Sequence, residues 1–595
     1  MGKSKKRSRA SAARLNPLAG RTTANKGLVK KLDPLLSQLT NGTPNEKAMA
    51  LASISVICED PVARSELLRQ KLVHVVLSQL INDDNTDIVV EAFGLLRNLS
   101  LEEGYDVSTN LWRSGIWSGI VKGFEQLKQS LPKCDDAPLE SRRSLFDYAD
   151  NLLSLVVALA NGSDAILVQV LNEDKLQTIF QVIHAFLQYG IDKLPLALLN
   201  TVLDLLYDFS SESFEFIEHV LQDQELAAFV QNLDQSSRGN ELTKVLVQGI
   251  NLQFADMDMS YEKADSIIHN VCSSVQHINW QELQINTEPL NEQEMVNQEP
   301  SHVAQKIKDY TSKRSESLMK LQSIEIAVDL LTASTEMVAS LYEETQRKLP
   351  ESLLKTLTEF IPPVLANLQP HLTSRILISW NNLLWLYITL GVNFFQLSDE
   401  LSSNLWQFIN SLPQDDQIDI QLGKWSVVWV LLKTISLQQD ANQWLNGFQL
   451  HNNAQFVQNV ISTYSKWLEN NNVELCEKLL GVLGTLASFQ GQVEINRLIG
   501  QFILEQLVLD RTPPLLLVDL TSSLFEIYAD ASFDYDEPVY VKYGFQEIIK
   551  SKVVPKLRQA FKLVDRNKDA VLKDRCTESF NILDSFIHYK QSERQ

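Results

Sequence analysis

Glycine and proline are scarce in this chain, 21 and 18 of 595 residues. Alternation of period two is almost absent as well, which excludes a β architecture. Only five cysteines occur (Cys58, Cys134, Cys272, Cys476 and Cys576), scattered and never at metal-ligand spacing. That excludes a zinc module and a disulfide scaffold, and fits a reducing compartment. The most apolar run, Leu383–Phe395, is interrupted by Asn393 and is too short to span a bilayer. The charged amino terminus has no apolar core, so no secretory signal is expected. Lys6 stands where myristoylation needs Ser or Thr. Phosphate-binding glycine loops, HExxH and GxSxG are all missing, and the nine histidines are dispersed. Asp565, Asn567 and Asp569 open like a calcium loop, but Ala570 replaces the turn glycine and Cys576 the bidentate glutamate. No catalytic residue, metal or cofactor is expected, and the chain reads as a binding protein.

What is present begins with charge. The chain holds 53 basic and 74 acidic residues, a net charge of −21, yet residues 1–31 contain ten basic residues and no acid. The remainder therefore carries 43 basic against 74 acidic residues, or −31. An acidic body disfavours DNA as a partner, because duplex affinity comes mainly from Lys and Arg neutralising phosphates. It favours basic proteins or peptides drawn in by the summed field.

The hydrophobic content of 44% supports a packed core, and apolar residues recur at three and four positions throughout. One pattern repeats. Ile88–Ser100 (IVVEAFGLLRNLS), Leu152–Ser163 (LLSLVVALANGS) and Leu199–Ser211 (LNTVLDLLYDFSS) are apolar helices ending in small polar turns, and Ala50–Asp60 is a weaker copy. Their spacing of roughly 40–60 residues is close to armadillo or HEAT periods. The expected fold is all-α, an armadillo/HEAT repeat superhelical solenoid, because a lone helical hairpin cannot bury both of its faces. Composition divides the chain into a disordered basic tail (1–27), armadillo-type repeats (28–277), an acidic flexible loop (278–311) and HEAT-type repeats (312–595). Seven of the ten tryptophans lie between Trp380 and Trp467, where most are expected to fill the core.

Three candidate sites follow. The tail cluster Lys3, Lys5, Lys6, Arg7 and Arg9, with Arg14, Pro17 and Leu18, resembles a nuclear import signal of the proline-tyrosine class with Leu18 in place of Tyr. Armadillo repeats line their groove with the third helix of each repeat. There Asn200, Asp204 and Asp208 form a polar stripe at spacing four, and Asn98 and Asn161 end the preceding helices at the matching place. Armadillo import adaptors carry a Trp four residues before such an Asn. Here Gly94, Val157 and Asp204 stand in those places, so the likeness to a general adaptor is architectural. The third site is the acidic loop, with Glu282, Glu288, Glu292, Glu294 and Glu299 and no Lys or Arg in 278–305.

The opening MGKSKKRSRASAARLNPLAG, the EAFGLLRNLS repeat, the acidic insertion and the ending LKDRCTESFNILDSFIHYK resemble the symportin family, fungal co-import chaperones related to animal HEAT-repeat-containing protein 3. The resemblance spans the chain and is most specific in the first twenty residues. It implies an armadillo half followed by a HEAT half, and a dedicated chaperone that shuttles between cytoplasm and nucleus. The implied partners are the two basic large-subunit ribosomal proteins that bind 5S rRNA, a transportin-type importin, and 5S rRNA indirectly, in service of 60S ribosome biogenesis. Neither membrane nor DNA is among them. A HEAT-repeat scaffold for another complex is the alternative, although it leaves the basic tail without purpose.

Overall fold

A computed structural model describes residues 26–233, 239–255, 260–276, 278–288, 300–413 and 417–593, with backbone alone at 26–31, 300–308 and 311. Every regular element among the described residues is helical. The chain divides into two compact units, Met1–Leu330 and Leu331–Gln595.

In the first unit, α1 (Lys26–Asn41) and α2 (Pro44–Ile57) open the stack. Three-helix repeats follow: α3 (Pro61–Arg69), a helical stretch Leu72–Leu80 and α4 (Thr86–Glu103); α5 (Tyr105–Arg113), α6 (Ile116–Ser130) and α7 (Leu139–Gly162); α8 (Asp164–Val170), α9 (Glu173–Tyr189) and α10 (Leu196–Glu212); α11 (Phe214–Gln222), α12 (Gln224–Asn232) and α13 (Glu241–Ala255). Starts are set locally. Thr43 and Glu46 form a capping box around Pro44, Asn85 caps α4, and Asp223 accepts from the Glu225 and Leu226 amides to cap α12. The third helices α4, α7 and α10 carry the repeated apolar segments, and α13 is the third helix of the next repeat. Each packs along the next, and α2 packs on α4. Ile88, Ala92, Phe93, Leu95, Leu96 and Leu99 are buried on α4, the width of face that a helix flanked on two sides must bury. Gly162 at the end of α7 permits one close approach, since a Cβ there would lie 2.3 Å from Ser108 Oγ.

The described ends of the expected loop 278–311 are helical, and residues 289–299 lie outside the described residues. Residues Tyr261–Ser274 form α14, Trp280–Thr287 form α15, and α16 runs from Pro300 to Thr345. Asn279 caps α15 by accepting from the Glu282 amide at 3.2 Å, so Glu282 sits in a helical first turn, where a carboxylate suits the helix dipole. Helix resumes at Pro300, well before the expected 312, with proline at a position where its missing N–H costs nothing. The division between the two units also falls within α16.

The second unit is built from helical hairpins. Its inner ladder is α17 (Thr373–Leu390), α18 (Ile418–Ser436), α19 (Val473–Ala487), α20 (Pro514–Ile527) and α21 (Ala570–Ser592), each packed on the next. Ala454–Glu469 backs α19 and Val493–Val508 backs α20. Asp565 and Asp569 serve the turn before α21: Asp565 Oδ1 accepts from the Asn567 amide at 2.9 Å, and Asp569 caps α21 through the Leu572 amide at 2.8 Å.

Candidate functional site

The third helices of the first unit are tied side chain to side chain, and the ties define a polar wall. Between α4 and α7, Asn151 Nδ2 donates to Val90 O at 3.0 Å and Ser144 Oγ to Asp87 Oδ1 at 3.3 Å. Arg97 Nη1 reaches Asp150 Oδ2 at 3.1 Å. The other Asp150 oxygen accepts from Thr201 on α10, so this one carboxylate joins three successive helices. Between α10 and α13, Thr243 Oγ1 donates to Asn200 Oδ1 at 2.6 Å, and Asn200 Nδ2 to Asn240 Oδ1 at 3.3 Å.

These ties correct part of the expected groove. Asn200 is 4% exposed and serves as an inter-repeat tie, because its place early in α10 faces the start of α13. Asp208 is also buried, Asp204 and Asn161 are half-buried, and Asn98 is exposed, accepting from Arg97 Nε at 3.1 Å. The spacing-four stripe therefore turns partly into the seam between α10 and α13.

Two acids outside that stripe carry the open part of the wall. Glu91 on α4 and Asp147 on α7 are solvent-exposed, yet their carboxyls titrate above their ordinary values. For Glu91 the causes are desolvation and then the Asp147 charge, opposed by Arg97. For Asp147 they are desolvation and then Asp150, opposed by Arg143 and Arg97. Each carboxyl is thus reached by water on one side and crowded by protein on the other. An incoming ammonium or guanidinium relieves the mutual repulsion of these acids, so the wall favours cationic ligands. The sequence holds a signal for them, since Glu91 precedes Asn98 by seven residues and Asp147 precedes Asn161 by fourteen.

The second unit has its own wall. Trp385 on α17 meets Trp429 on α18 edge to face at 5.6 Å between ring centroids. Trp429 lies flat on Gly481 of α19, where a Cβ would be 2.3 Å from the indole, and Lys478 Nζ stands 5.8 Å from the ring. Further along, Arg575 Nη2 pairs with Asp519 Oδ1 at 2.8 Å. Burial raises the Glu477 carboxyl, with Asp519 adding to the rise. Of the seven clustered tryptophans, Trp380, Trp425 and Trp467 are buried as core, and the other four are half-buried.

The import-signal residues Lys3, Lys5, Lys6, Arg7, Arg9, Arg14, Pro17 and Leu18 lie outside the described residues, as do Glu292, Glu294 and Glu299. Glu288 follows α15 directly, and its carbonyl accepts from Tyr310 Oη at 2.8 Å. Among the described residues no group of three or more His, Cys, Asp or Glu is placed to hold a metal ion. No described helix is long and apolar enough to cross a membrane.

Stacked three-helix repeats followed by helical hairpins, walled by carboxylates, define an armadillo/HEAT-type repeat solenoid built for binding. A family profile described as "SYO1-like, TPR repeats" matches residues 362–594. Synchronized import protein 1 of Saccharomyces cerevisiae is 48% identical over 620 aligned positions, covering 100% of this chain and 99% of that protein. The Schizosaccharomyces pombe armadillo repeat protein involved in nucleocytoplasmic transport, Syo2, is 23% identical, and Symportin 1 of Chaetomium thermophilum is 22% identical, each covering 94% of both chains. The chain belongs to the synchronized import protein, or symportin, family.

Proposed function

We propose that this protein is a non-catalytic nuclear import adaptor and chaperone that shuttles between cytoplasm and nucleus. Its cargo is the pair of basic large-subunit ribosomal proteins that assemble with 5S rRNA, and a transportin-type importin carries the complex. The observation that carries this reading is the full-length identity of 48% to a protein named for synchronized import. The charge plan supports it. Basic extensions of ribosomal proteins attract stray RNA, and an acidic wall competes with such polyanions for them.

In this reading Glu91, Asp147 and Asp204, with Asn98 and Asn161, receive the cations of an extended cargo segment, while Asn200 holds α10 to α13. The acidic segment Glu282–Glu299 shields an RNA-binding surface of the second cargo. Residues Lys3 to Leu18 engage the importin, so one signal delivers both cargoes in equal number.

The test is affinity purification of the tagged protein with nuclease present, beside a Pro17→Ala/Leu18→Ala variant. Two ribosomal proteins in near-equal amounts, with an importin lost only from the variant, is the expected result. Subunits of another complex and no ribosomal protein would overturn the reading and favour a scaffold.

A further inference from the structure

Where each third helix of the first unit ends and the next repeat begins, the chain turns a corner, and these corners share an unusual surface. The first, between α2 and α3, exposes Val56 and Val62; the second, between α4 and α5, exposes Leu101 (56% accessible) and Tyr105. Beyond the third, Val168 on α8 is 71% accessible, and at the fourth Phe214 is 52% accessible. Large apolar side chains scattered singly over a surface need no explanation, but their recurrence at three of the four corners, and one turn into α8 beyond the third, does.

The corners are contiguous. Arg64 on α3 bonds the second corner, Nε to Glu103 at 2.6 Å and Nη2 to Glu102 at 3.3 Å. Gly162 at the third corner sits against Ser108 and the Gly104 carbonyl of the second, and α10 continues the ladder from α7 to the fourth. Across segments 56–64, 100–108, 160–168 and 208–218 there are ten carboxylates and one cation, Arg64, which is already engaged. The strip also has an internal example of what it binds, because Arg314 of α16 makes a two-pronged contact with Glu59 at the first corner, at 3.1–3.2 Å.

We propose that this edge is a docking surface for an amphipathic helix bearing Lys and Arg beside its apolar stripe. The spacing selects a helix. Packed helix axes lie about 8–10 Å apart, and a helix brings a side chain back to the same face every seven residues, about 10.5 Å further on. One apolar contact per repeat therefore stays in register over four corners, which takes about 20 residues of ligand. This surface lies along the corners, apart from the wall of Glu91 and Asp147, and does not depend on the cargo assigned above.

The test measures binding of two fluorescent 21-residue peptides to the full-length protein by anisotropy. One has Leu at heptad a and d positions and Lys or Arg elsewhere, and the other is a scramble of the same composition. The amphipathic peptide is expected to bind at least tenfold tighter. Leu101→Ser/Phe214→Ser should abolish that preference, as should Asp106→Lys/Glu215→Lys, while Glu91→Lys/Asp147→Lys should leave it intact. Equal binding of the two peptides, or a preference indifferent to Leu101 and Phe214, would overturn the proposal. A preference that emerges only after removal of residues 1–25 would assign the strip to the chain's own basic tail and overturn it too. Each of these failures would leave the partner purification, which tests the import reading, unaffected.

Discussion

Replacing Lys590 by Met should unfasten the last helix of the second unit. Lys590 is fully buried, with its ammonium 2.9 Å from Asp536 Oδ1 and 2.6 Å from Glu593 Oε2, and 5.3 Å from the centroid of the Tyr540 ring. The Asp536 side chain is only 2% exposed. Methionine keeps the apolar stem but takes the countercharge from that buried carboxylate. Removing one partner of a buried pair costs about 3–5 kcal/mol, whereas replacing both by apolar groups is often neutral. At about 1.4 kcal/mol per tenfold, amides in α21 should exchange with solvent roughly 100- to 5,000-fold faster in the single variant. Hydrogen exchange followed by mass spectrometry on the full-length protein reads this locally, without requiring the two units to unfold together. The paired variant Asp536→Leu/Lys590→Met should recover most of the protection. The reasoning fails if the single variant exchanges less than tenfold faster, or if the pair is as unprotected as the single change.

Three further outcomes are expected. Glu91→Gln/Asp147→Asn should raise the thermal midpoint of the first unit at neutral pH while weakening its affinity for basic peptides. Acids whose pKa is raised by folding destabilise the fold once ionised, so the gain should shrink as pH falls toward the ordinary carboxylate range near 4. Gly481→Ala drives a methyl into the Trp429 indole and should cost about 1–3 kcal/mol, with a change in tryptophan fluorescence; an unperturbed spectrum and stability would refute the close packing. Asn200→Ala removes the cross-helix bonds to Thr243 and Asn240, which keep their bonds to each other, and should destabilise the α10–α13 seam by about 0.5–1.5 kcal/mol. The check is urea unfolding beside Asn98→Ala, which should be near neutral.

Periodicity carried most of the architecture. Ile88–Ser100, Leu152–Ser163 and Leu199–Ser211 fall on α4, α7 and α10, because a helix buried between two neighbours must be apolar over most of its surface. At the described ends of 278–311 helix stands where five glutamates without Lys or Arg suggest a solvated loop. Its real signals were short-range, Asn279 three residues before Glu282 and the proline that opens α16. The candidate wall was legible only in part. A stripe at spacing four says which side chains share a face but not which helix lies opposite, and for Asn200 the answer was α13. The approach of Glu91 to Asp147 depends on how α4 and α7 slide past each other, a register that neither helix encodes alone.

Asp150 takes a hydrogen bond from Arg97 on one side and from Thr201 on the other, so the charge of the wall is also its fastening. In a stack stabilised by nearest-neighbour terms, such a residue sets how far a disturbance travels. A cation held by Asp147, one helical turn away, competes with Arg97 for the same field. Were a basic segment to pair with Asp147, as proposed above, the tie most exposed to it would be the Arg97–Asp150 pair that also holds α10 through Thr201.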